Sequence, residues 1–155
     1  MRIWTRIMGI WRDEKAVVAV EAAFVFPLLV AIMCGMMDVG QALVINQKTI
    51  TATQTIADLL AREDQISNAE MTDAIVAGRL SMQPYDVTTY GADVVGIQFI
   101  GAGLVPTERW RDTVDTEEND LVFEMSEDLG SQDEGVIAVT VDYFDVPYFT
   151  SVVVD

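Results

Sequence analysis

Glu21 is the residue whose chemistry most needs an explanation. It lies inside a long apolar run, where a carboxylate costs on the order of 2.5–3.5 kcal/mol at mid-membrane and less near an end. On a helix, the side chains able to meet it are Val17, Val18, Phe24 and Val25, three or four positions away, and none carries a charge. Lys15 is six positions back, on a different face. A cut between Ala16 and Val17 would create a new α-amino group four residues before Glu21, supplying the missing cation. Left uncut, the carboxylate would snorkel to water at a membrane edge and favour the positive end of the helix dipole.

Other chemistries are narrowed by what the chain lacks. It has no histidine, which removes a histidine base, a histidine-containing zinc site and a histidine switch near neutral pH. Cys34 is the only cysteine, so there is no internal disulfide, thiolate cluster or CxxC pair. No nucleophile–base motif stands out, and no cofactor is expected. The acids do permit a carboxylate-pair hydrolase on composition alone. Gly91, Gly96, Gly101 and Gly103 are followed by no helix and no P-loop lysine, and read as turn or bulge glycines. Residues 112–134 hold ten acids and no base. Within them Asp115, Glu117, Glu118 and Asp120 are the candidate calcium ligands, since hard cations take several oxygens. Asp120 stands where an EF-hand loop needs glycine, and a solvated acidic loop is the alternative reading.

These groups must be positioned by elements of two kinds. The net charge of −16 coexists with 51% hydrophobic residues among 155, so charge and apolar material are segregated along the chain. The apolar part is residues 16–37, which as a helix reaches about 33 Å, close to a hydrocarbon thickness of about 30 Å. Arg2, Arg6, Arg12 and Lys15 precede it and Asp38 follows, an asymmetry that keeps residues 1–15 in the cytoplasm and puts residues 38–155 outside, in the periplasm of a bacterium. Trp4 and Trp11 suit an interfacial belt. A cleaved secretory signal fits less well: the run is long, lacks a small-x-small site and contains Glu21. Strong acidity also excludes nucleic acid as a partner, because affinity for phosphate backbones comes from Lys and Arg.

Beyond Met37, Ile45, Ala52, Ile56 and Leu59, with Leu60 adjoining, fall near helical spacing, which predicts that the membrane helix continues as an amphipathic one. Gly35 and Gly40 leave a break possible. Ser67 and Glu70 form a capping box that opens a short helix through Leu80, ending before Pro84. Strands are expected at 93–100, 104–110 with Pro106 at its edge, and 135–144, with 146–154 returning antiparallel to the last. The fold class is α+β: one transmembrane helix running into an amphipathic helix, then a head with a short helix and a sheet of three to four antiparallel strands.

The stretch from Ala16 through Glu21 to Ala23, with Pro27, Leu28 and Leu29 and then Asp38, Val39 and Gly40, resembles the N-terminal segment of TadE-like pseudopilins of tight-adherence (Tad) pilus systems, relatives of the type IV pilins. The stretch 55–62, followed by Pro84 and Trp110, resembles the outer part of such proteins more loosely. The resemblance implies cleavage by a prepilin peptidase after Ala16, with Val17 as the new N-terminus and Glu21 as fifth residue. Ala16 stands where the family usually has Gly, Ala22 where an aromatic is common and Gln41 where Arg is frequent. It further implies a minor pilin-like subunit that leaves the inner membrane for an adhesive pilus or its assembly apparatus. Its partners would be pilin and pseudopilin subunits, the peptidase and the Tad secretion machinery, and Glu21 would pair with terminal amines during assembly. The rival is an unprocessed, single-pass scaffold or adaptor anchored at the membrane.

Overall fold

The computed structural model describes residues 14–149 apart from 64, 102 and 133, and only the backbone of residues 14–16. The leader before Glu14, with its tryptophans, and residues 150–155 lie outside the described residues. The first element is one helix, α1 (Glu14–Leu60), with no break at Gly35 or Gly40 and with Pro27 in its interior. Proline has no N–H, so the Ala23 carbonyl loses its partner four residues on, a gap that membrane helices tolerate. By contact density the chain divides into two units: residues up to Ala42 with those from Val146 on, and Leu43 to Asp145.

In the second unit, the last part of α1 is amphipathic, as its spacing predicts. Ile45, Ala52, Ile56 and Leu60 are buried, whereas Leu59 is exposed. Steps of four residues advance by 40° on a helix of 3.6 residues per turn, so the buried stripe drifts onto Leu60 by the end. Thr49, Thr51, Thr53 and Thr55 each donate a hydroxyl hydrogen bond to the carbonyl four residues back, satisfying themselves on the helix. Helix α2 (Asn68–Ser81) opens with the expected box. The Ser67 hydroxyl accepts from the Glu70 N–H at 3.3 Å, and the Glu70 carboxylate accepts from the Ser67 N–H at 2.7 Å. At the far end, Lys48 donates to the carbonyls of Ser81 and Gln83 at 3.2 and 2.6 Å, placing a cation where the helix dipole is negative.

Three strands follow, β1 (Tyr90–Ile100), β2 (Val105–Val114) and β3 (Gly135–Tyr143), in the antiparallel order β2-β1-β3. Pro106 is on an edge strand, where its missing donor costs no ladder bond. Alternation along β1 sends Tyr90, Ala92 and Val94 into a core with Ile45, Ala52, Ile56, Met71 and Ile75. Val95 and Ile97 face the other way, against Val122. The β1–β2 register shifts between Gly96 and Ile97. At Gly96 a Cβ would overlap the Trp110 ring, so the bulge and the indole together require glycine.

Two expectations are corrected. Residues 146–149 are not a strand: Pro147 removes a donor, and the Phe149 N–H is given to the Asp38 carboxylate at 3.1 Å. The acidic stretch 112–134 is not a single loop, since Asp112 belongs to β2 and a short helix, α3 (Leu121–Met125), places Val122 against the second face of the sheet.

Candidate functional site

The residues singled out by chemistry fall at two places. Ala16, Val17, Glu21, Pro27, Leu28 and Leu29 all lie on α1. Val17 precedes Glu21 by four positions, a rise of about 6 Å, so the two share one face of the helix. Val17, Val18, Phe24 and Val25 are all exposed, Phe24 by 79%. The same holds for Leu28, Leu29, Ile32, Met33, Met36 and Met37, so apolar side chains point outward in every direction. A helix that is apolar all round needs an apolar surrounding. Its most apolar stretch is long enough to cross a membrane and none of that stretch is buried within the protein. At the end of the run Asp38 is buried, with its carboxylate on the Phe149 N–H.

The second place is a charge cluster on the head's second sheet face. It was not anticipated from the pattern, which read Asp93 only as the first residue of a strand. Asp93 opposes Thr113 across β1 and β2, and Arg111 lies diagonally two residues on. The guanidinium grips the carboxylate with two bonds, Nε to Oδ1 at 3.0 Å and Nη2 to Oδ2 at 2.7 Å. The Thr113 hydroxyl donates at 2.8 Å and the Asn119 N–H at 2.9 Å. Both charged side chains are nearly out of water, at 0% exposure for Asp93 and 7% for Arg111. Burial alone pushes the Asp93 carboxyl up, but the bonds from Arg111, Asn119 and Thr113 outweigh it and hold the group below the ordinary carboxylate range. The Asp93 bond likewise raises the Arg111 pKa, against burial and with help from Asp120 and Glu118.

Two of the candidate calcium ligands belong to this cluster and a third lies against another arginine. Glu118 and Asp120 lie 3.5 and 2.9 Å from Arg111 Nη1, and Asp115 lies 3.2 Å from Arg79. Three of the four acids therefore already have a cation in the protein, and among the described residues no three carboxylates or thiols converge on a metal site. Glu117 is exposed. An arginine on the strand before the acidic run was the available signal, since a buried strand acid requires a partner of this kind.

A membrane-suited helix that continues into an α+β head defines the class of protein. Within it, residues 16–58 match the model of the family described as TadE-like protein, the segment that runs from the candidate cleavage residue to the buried face of α1. Over this segment, a little over a quarter of the chain, the protein is similar to the TadE-like family. Comparison with curated proteins gives no match, and comparison with solved structures gives none.

Proposed function

We propose that the protein is a minor pilin-like subunit of a Tad-type adhesive pilus. It is held in the inner membrane with residues 1–15 in the cytoplasm and residues 38–155 in the periplasm until it is recruited into the pilus or its assembly machinery. The observation that carries this reading is the TadE-like match over 16–58 on a helix whose apolar surface is uncovered and whose only acid between Val17 and Met37 is Glu21. A prepilin peptidase removes the residues up to Ala16, and the Val17 amine pairs with Glu21, or exchanges it for that of a neighbouring subunit. Helix packing against other pilin helices then replaces lipid, with Glu21 favouring one register.

The test is the mature N-terminus, read by mass spectrometry of protein extracted from membranes containing the peptidase. A start at Val17, abolished by Ala16→Phe, is expected. A start at Met1 would make the protein an unprocessed membrane scaffold. Glu21→Ala should insert at least as well as the parent, since the buried charge is gone, yet reduce piliation seen by electron microscopy.

A further inference from the structure

The two edges of the sheet are built differently. β2 carries Pro106, Glu108, Arg109, Arg111 and Asp112 and a register shift against β1, the devices that keep an edge from pairing with another chain. β3 carries one charge, Asp142, and is otherwise rich in β-branched residues: Val136, Ile137, Val139, Thr140 and Val141. Among the described residues Val136–Asp142 pair only with β1, so the outer backbone groups of that stretch face away from the sheet. Beside it runs an open groove of ≈ 480 Å³, lined by β3 and by Val122, Met125 and Leu129. Met125 and Leu129 are 76% and 66% exposed, although each is large and apolar. An edge over 136–142 with no strand on its outer side among the described residues, next to an apolar groove, is the arrangement that accepts an added strand, with backbone bonds supplying affinity and the groove supplying side-chain pockets.

We propose that β3 and this groove receive an extended apolar segment of another protein, flanked by lysine or arginine. Charge selects that occupant. No Lys or Arg follows Arg111 in the sequence, and Arg111 itself is engaged by Asp93, Glu118 and Asp120. Glu124, Glu127, Asp128 and Glu134 are all exposed on the segment that carries the groove-lining α3 and in the approach to β3. A second copy of this chain would bring its own acids against them, whereas a basic-flanked strand is drawn in.

The probe is a synthetic peptide of alternating valine and threonine with lysines at both ends, added to the full chain in detergent micelles. Hydrogen exchange read by mass spectrometry should show residues 136–142 protected. A twin peptide ended by glutamates should bind at least roughly tenfold more weakly. Methylating the backbone nitrogens of alternate residues should abolish binding for the set that faces β3 and spare it for the other set, because only one set reaches the ladder. Met125→Gln with Leu129→Gln should weaken binding while leaving the fold intact, as both side chains are exposed. Protection confined to residues 112–134, equal binding by the glutamate-ended twin, or equal binding by both methylated sets would overturn the proposal.

Discussion

The apolar stretch of α1 and the head solve the burial problem in opposite ways. Between Val17 and Val44, the large apolar side chains face outward and the backbone is satisfied by the helix itself, so what stabilises the stretch has to come from around the protein. In the head, apolar groups face inward, and even a carboxylate is buried because Arg111, Thr113 and Asn119 meet it. One region is written for a solvent and the other for partners inside the chain. The same substitution should therefore cost little in one and a great deal in the other.

The sharpest break is at the buried charge. Asp93→Asn leaves Arg111 without its buried counter-charge, and removing one member of such a pair costs on the order of 3–5 kcal/mol. Replacing both, as Asp93→Leu with Arg111→Met, should recover part of that loss, because a well-packed apolar pair often matches a buried ion pair, while the Thr113 hydroxyl and the Asn119 N–H lose their acceptor. Urea titration of the full chain in detergent, followed by Trp110 fluorescence with Trp4 and Trp11 replaced by Phe, measures both. A double variant no more stable than Asp93→Asn would show that the bonds from Thr113 and Asn119, not the unpaired arginine charge, carry the loss. The pair also sets an acid limit. The folded Asp93 titrates below the value of about 3.9 for a free aspartate. Its contribution is therefore complete above that pH and is lost as pH falls through the depressed native value. Asp93→Asn should flatten the stability–pH curve in that acidic window.

A direct comparison of the two regions uses one type of change on one helix. Ile56→Ala empties a fully buried position against the sheet and α2 and should cost about 2–5 kcal/mol of head stability. Phe24→Ala removes a larger side chain that touches little of the protein, and should leave urea unfolding of the head unchanged. A shift for Phe24→Ala as large as that for Ile56→Ala would mean that the apolar stretch also contributes to the core.

How far the sequence was legible follows the same division. Periodicity carried the helix, because Ile45, Ala52 and Ile56 repeat on one face, and Ser67 with Glu70 carried the start of α2 through local hydrogen-bond chemistry. The strands were legible from β-branched runs, although β1 begins at Tyr90 and β2 runs to Val114, beyond the expected ends. What escaped was non-local. Asp93 and Arg111 are eighteen residues apart and meet only because β1 and β2 pair in one register. A run of acids looks the same whether it is solvated or gathered by an arginine. The docking of residues 146–149 at Asp38 was hidden likewise, since it spans 111 residues.

The smallest effect tests the most local device. Ser67→Ala removes the hydroxyl that satisfies the Glu70 N–H, one of the four orphan donors at the start of α2, and should cost about 1 kcal/mol. Glu70 is held below the ordinary carboxylate range first by its bond to the Ser67 side chain and then by the Ser67 N–H. Losing the hydroxyl should return its titration upward, a change that carbon-detected NMR of the Glu70 carboxyl reads directly. Because Met71, Ala74 and Ile75 of the same helix are buried in the core, the unfolding midpoint should move without any change in cooperativity. A broadened transition in the Ser67→Ala chain would instead mean that α2 detaches separately from the head, and that the capping box rather than the buried face holds it in place.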